Sequence, residues 1–179
     1  MNVQRLNLVK NKIKEILNKK QLKIIPQIVA VTKSHPMNKV LPLLETDHIH
    51  FGENKIQEAE NKWVDVKSKY KNLQLHMIGK IQSNKAKKAV QLFDYIHSLD
   101  NVKLATKLSK FEKELNKKIK IFIQVNLGKE SKKSGILLDD LKSFYNYCTQ
   151  ELSLNIIGLM CLPPINSDSS KYFKILKKS

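Results

Sequence analysis

Short apolar segments return along this chain at intervals that few architectures accommodate. "QIVAVTK" (27–33), "HIHFGEN" (48–54), "LQLHMIG" (73–79), "DYIHSLD" (94–100), "IKIFIQVN" (119–126) and "LNIIGLMC" (154–161) are each about seven residues long and rich in β-branched or aromatic side chains. Between them, 56–70, 84–92, 102–115 and 138–152 space apolar residues at helical intervals, with charges on one face. Strands alternating with helices in this way predict βα units, and hence a parallel sheet with right-handed crossovers.

Six such units fit either an open doubly wound sheet or most of an eight-stranded barrel. No strand runs into a glycine-rich dinucleotide loop, and polar residues close nearly every strand: Lys33, Glu53 and Asn54, Asp100, Gln124 and Asn126. Barrel enzymes keep their chemistry on that rim, so the barrel is the favoured reading. Residues 1–20 space Val3, Leu6, Val9, Ile13, Ile16 and Leu17 as an amphipathic helix, without the apolar core or small-residue cleavage site of a signal peptide. The expectation is one domain over 1–179, with an N-terminal helix over 1–20 and βα repeats over 27–179.

Charge and cysteine content narrow the function classes. The net charge is +17, yet Arg5 is the sole arginine among 33 basic residues. Readers of bases and phosphates favour the guanidinium fork, and these lysines are scattered through every segment, so a solvated surface is expected rather than specific nucleic-acid binding. Weak attraction to polyanions at low salt is still expected. No run approaches the ~18 apolar residues of a membrane span. Cys148 and Cys161 are too few and too casually placed for a disulfide framework or zinc site; they read as small buried or half-buried apolar residues in a reducing cytoplasm.

Lys33 is the sharpest single residue. It shares a strand face with Val29 and Val31, so if the valines line a core the lysine emerges at its edge, where desolvation favours a neutral, nucleophilic amine. The alternative is a strand that stops one residue earlier, with Lys33 snorkelling into water. Spacing leaves both open.

The motifs "AVTKSHP", "HFGENKIQEAENK", "LHMIGKIQSNKAKK", "IHSLDNVKLA", "QVNLGKESKKSG" and "GLMCLPP", in this order, resemble the YggS/PROSC family of pyridoxal phosphate homeostasis proteins over about residues 1–175. The resemblance implies a (β/α)8 TIM barrel of the alanine racemase N-terminal type, with about six of eight βα units present. It also implies pyridoxal 5′-phosphate held as a Schiff base on Lys33. By the same resemblance Asn54 lies beside the cofactor ring, His76 belongs to the third strand of the site, Lys133 stands near its mouth and Met160 forms a wall. Asn54 could equally cap the next helix, His76 be a satisfied core histidine and Lys133 an exposed loop residue. Asn84 is read as a helix N-cap and Lys85 as peripheral.

Two departures from the family pattern are visible. His35 stands where relatives often carry a second lysine, and nothing in the sequence matches the family's "SMGMS"-like and "RIG"-like seventh and eighth strand ends. Phosphate sites of such barrels draw on those loops, so this chain by itself is expected to hold the cofactor weakly. The resulting expectation is a cofactor carrier and buffer, with apo-enzymes as partners, monomeric in the family's full-length form and without robust turnover. A racemase-like enzyme is the alternative. Racemisation needs a second base across the ring, and Tyr95, Tyr145, Tyr147 and Tyr172 all fall in strand or helix patterns away from the rim.

Overall fold

The computed structural model describes residues 2–128 and 134–179. An N-terminal helix α1 (Asn2–Lys19) leads into six repeats: β1 (Ala30–Val31) and α2 (Met37–Leu44); β2 (His50–Glu53) and α3 (Ile56–Lys69); β3 (Gln74–Met77) and α4 (Ala86–Leu92); β4 (Tyr95–Leu99) and α5 (Val102–Glu114); β5 (Lys120–Val125) and α6 (Leu138–Asn146); β6 (Asn155–Cys161) and α7 (Ser169–Lys178). A 3-10 turn, Ser83–Lys85, precedes α4, and a π turn, Tyr147–Glu151, extends α6. The six strands pair in parallel and in strictly sequential order, β1 to β6. That order is the one a (β/α) barrel requires, because each crossover returns to the next position along the sheet.

The two-residue period divides the strands into two faces. Phe51, Leu75, Met77, Ile96, Ile121 and Ile123 are fully or almost fully buried and belong to one core with helix residues Trp63, Ala89, Val90, Leu104 and Leu108. Phe51 lies against the Trp63 indole, with ring centroids 5.1 Å apart. The opposite face carries His50 and Gly52, His76, Tyr95 and His97, Phe122, and Gly158, which touch one another across the strands. This is the inner face of the curved sheet.

Three expectations need correction. The first strand is far shorter than its seven-residue segment: only Ala30 and Val31 ladder with β2, and Val31 is 47% exposed. Among the described residues β1 has a neighbour on one side alone, which halves the backbone bonds available to it. Helix α2 was missing from the periodicity reading because it is eight residues long and contains Pro42, which removes a helical donor; Val40, Leu43 and Leu44 nevertheless bury one stripe. Asn84 sits within the 3-10 turn, and Gln82 occupies the cap position without a side-chain bond. The working caps are Asn101, which accepts from the Leu104 amide at 2.8 Å, and Asp168, which accepts from Ser170 at 2.9 Å. Cys148 and Cys161 are free and buried, as read from the sequence.

Gly79, just past β3, has no room for a side chain. A Cβ there would stand 2.1 Å from the Asn54 carbonyl oxygen and 2.7 Å from its Cα, so the close approach of the β2 and β3 ends depends on the glycine. Gly79→Ala is expected to cost about 3 kcal/mol or to prevent folding, read as a lowered urea midpoint.

Candidate functional site at the strand ends

Lys33 lies in an exposed turn two residues past the end of β1, so the strand stops short of it, as the alternative reading of this residue had it. Its turn is closed by the His35 amide donating to the Thr32 carbonyl at 3.1 Å, with Ser34 in the left-handed region at φ 61°. A non-glycine residue there costs about 1 kcal/mol, so something must hold the turn.

The holding device is Lys62 on α3. Its ammonium donates to the carbonyls of Thr32 at 2.7 Å and His35 at 2.9 Å, and pairs with the Glu53 carboxylate at 2.6 Å. Glu53 is fully buried on the helix side of β2, and its Oε1 also accepts from Thr32 Oγ1 at 2.7 Å and Trp63 Nε1 at 3.0 Å. One carboxylate oxygen therefore fastens the lysine-bearing turn, the end of β2 and helix α3 to one another. The three donors at Oε1 replace part of the water that this buried charge gives up, while its Oε2 is buried without a hydrogen-bond partner.

The β1–β2 register, continued past Val31 and Gly52, sets Lys33 level with Asn54. Asn54 Oδ1 is buried and takes no hydrogen bond in the protein, an uncommon condition for an amide oxygen. Asn54 also lines a cavity of about 390 Å³ on the helix side of the sheet, with Ile56, Gln57 and Glu60 of α3, Met77 and Lys85. Further along the rim, Ile78, Gly79, Gln124, Asn126 and Leu162 line a second cavity of about 310 Å³. Met160 is half-buried and pairs with Gln124, on the same face.

The sequence-predicted residues thus separate by depth. Lys33, in the turn past β1, and Asn54, in the bend past β2, lie beyond the strand ends, and Met160 stands near the C-terminal end of β6. His76 lies deeper, opposite Gly52, buried and fully bonded: its Nε2 meets His50 Nδ1 at 2.9 Å, its Nδ1 meets His97 Nε2 at 2.8 Å, and its ring stacks on Tyr95 at 4.1 Å. Lys133 lies outside the described residues. Sequence reasoning took Glu53 as a strand-end polar residue and passed over Lys62 altogether, since nothing in a lysine-rich pattern distinguishes that lysine from its neighbours.

Burial lowers the pKa of His48, His50, His76 and His97, taking His97 down to about 4 and His76 to about 3, where His97, His50 and Lys120 add to the effect. The unfolded chain binds protons at these histidines near the ordinary value of about 6.5, and the folded one resists until much lower pH. Their contribution to stability is therefore complete above about pH 6.5 and is lost as pH falls through about 4 and then about 3. Urea midpoints should fall steadily from about pH 6.5 downwards, and His76→Phe should flatten that slope.

Comparison with known proteins adds to this geometry. The family model described as "Alanine racemase, N-terminal domain" matches residues 5–175. Proteins named pyridoxal phosphate homeostasis protein are similar in Buchnera aphidicola subsp. Schizaphis graminum (32% identical, covering 93% of this chain and 72% of that one) and in Haemophilus influenzae (31%, covering 91% and 70%). The Synechocystis protein of the same name is 36% identical over 78% of this chain and 63% of its own. Among solved structures, PipY of Synechococcus elongatus PCC7942 without PLP superposes with a TM-score of 0.76 at 33% identity, covering 91% of this chain and 76% of that one. The same protein with PLP bound gives a TM-score of 0.74. Alanine racemase of Clostridium difficile 630, at 15% identity and a TM-score of 0.67, shares the fold over 97% of this chain and 44% of its own.

Proposed function

Because the chain belongs to the alanine racemase N-terminal domain family, and within it to the pyridoxal phosphate homeostasis proteins, we propose that it binds pyridoxal 5′-phosphate on the inner rim of the sheet and serves as a carrier of that cofactor. The observation that supports the reading is the turn that bears Lys33: an exposed lysine just past the end of β1, in a turn fixed by Lys62 and Glu53.

The residues present fit the group. When bound, the cofactor supplies an aldehyde carbon that an amine can hold covalently, and a planar ring with polar substituents. Lys33 offers the amine. Asn54 offers a buried amide whose oxygen lacks a partner, and Gly79 lets the backbone approach closely beside it. Met160 supplies an apolar wall, and His76 underlies the site from the next layer. Fixing the Lys33 turn matters because an amine on a loose loop loses the orientation that makes it more reactive than the chain's other lysines.

The exposed edge of β1 tempers retention. With Val31 47% and Ile157 43% exposed, water reaches the inner face and screens the attraction between lysines and an anionic ligand. The reading is therefore of reversible loading, with transfer to enzymes that require the cofactor as the natural consequence. Among the described residues no helix is long and apolar enough to cross a membrane. Two unpaired thiols suit a reducing compartment, and we place the chain in the cytoplasm.

Substoichiometric pyridoxal phosphate followed by borohydride, with the label mapped by mass spectrometry, is expected to mark Lys33 ahead of all other lysines, and Lys33→Ala to leave only scattered labelling. Without borohydride most of the cofactor should be lost on gel filtration. Scattered labelling of the native chain, with Lys33 no better than its neighbours, overturns the proposal. An assay with D- and L-alanine is expected to show no robust turnover. The Tyr95 ring stacks on His76 well inside the sheet, and its hydroxyl accepts from Lys120 at 2.9 Å, so it does not stand across the rim from Lys33.

A further inference from the structure

Three of the chain's five histidines form a continuous row across the inner face, one from each of β2, β3 and β4. His50 Nδ1 stands 2.9 Å from His76 Nε2, and His76 Nδ1 stands 2.8 Å from His97 Nε2. Cofactor binding has no use for a row of this kind, and the inference drawn from it is independent of that function. The row is packed from every side. Tyr95 stacks on His76, Phe122 stacks on His97 at 4.5 Å, and His48 fastens its Nε2 to the His50 carbonyl at 2.8 Å. The charged groups bearing on it are Lys120 of β5, which also donates to the Tyr95 hydroxyl, and Lys10 of α1, which acts on His48.

Counting protons shows what such a row can do. Each imidazole–imidazole contact needs one N–H and one bare nitrogen. Three neutral rings carry three protons, of which the two contacts take two. The third sits on an outer nitrogen, either His50 Nε2 or His97 Nδ1, so the neutral row has two hydrogen-bonded registers that are mirror images in direction. An extra proton is accommodated with both contacts intact, because both outer nitrogens can be protonated together. A second extra proton would force two N–H groups to face each other.

We propose that His50, His76 and His97 form a proton relay that carries single protons across the inner face, between the groove at the N-terminal end of the sheet and the half-buried end of the row at His97. The groove lies between α1 and the start of β2, encloses about 680 Å³, and is lined by His48 and His50 with Lys10, Ile13, Leu17 and Ile49. A proton binds His50 Nε2; the proton on His50 Nδ1 moves to His76 Nε2; that on His76 Nδ1 moves to His97 Nε2; and the proton on His97 Nδ1 passes to water, which the half-buried ring meets. One proton enters and one departs, no ring turns, and the row is left in the opposite register, ready for transfer in the reverse direction. The stack on Tyr95 opposes turning of the His76 ring, which is the step that would otherwise erase the register.

Nitrogen NMR of the full chain, labelled with 15N in its histidine rings, tests this at neutral pH. The relay requires both His76 nitrogens to resonate between the positions of a protonated and a bare nitrogen, averaged by exchange of the two registers. His50→Phe leaves His76 with one partner and is expected to move it to a single tautomer, one nitrogen fully protonated and the other bare. A native His76 already fixed in one tautomer overturns the relay, whether or not the variant folds. A folded His50→Phe chain that leaves averaged His76 resonances unchanged overturns it as well.

Discussion

The buried carboxylate of Glu53 is the constraint on which the functional end of this molecule rests. Its Oε1 gathers a hydroxyl from the turn after β1 and an indole N–H and an ammonium from α3, at 2.7, 3.0 and 2.6 Å. Burying a charge in this way is costly unless donors replace its lost water, and each donor here comes from a piece of chain that needs positioning. Thr32 belongs to the turn that bears Lys33, Trp63 to the helix layer, and Lys62 bridges the two. Removing the carboxylate would leave an ammonium and an indole without their acceptor and a strained turn without its anchor. Tertiary bonding replaces what β1, with two laddered residues, cannot supply from its own backbone.

The two faces of the sheet divide the labour of the fold. The helix-facing side is apolar and closely packed, and supplies the hydrophobic stabilisation. The inner face is lined by imidazoles, a phenol, an amide and glycines, a set that contributes little to a core and much to chemistry. The histidines on it are neutral across the physiological range because burial disfavours their charged forms, so the interior of the sheet is polar without being charged.

Much of this was legible in the sequence. The strand segments recur because a parallel sheet buried by helices needs apolar runs, and β2 to β6 fall inside the segments read from the pattern. The parity that set Lys33 with Val29 and Val31 does not reach it, because β1 ends at Val31 and Lys33 lies in an exposed turn. What failed to show were features that depend on partners distant in sequence. Strand β1 is shorter than its composition suggests because pairing, not propensity, sets strand length. Helix α2 is hidden by Pro42. The depth of His76 follows from register with Gly52, which no single-strand pattern encodes. Lys62 is one lysine among many until folding brings it to two carbonyls and a carboxylate, some 27 to 30 positions away for the former.

The Lys62 clamp has a consequence for which side chains the position can carry. An ammonium has three donors converging on one nitrogen, and here all three are spent, on Thr32, His35 and Glu53. A guanidinium keeps the charge but spreads its donors along a planar fork, too wide to meet acceptors gathered around a point. Acetylation would leave a single donor and no charge. The geometry of the turn that presents Lys33 is therefore written in the tetrahedral shape of another lysine's nitrogen, and only a lysine satisfies it.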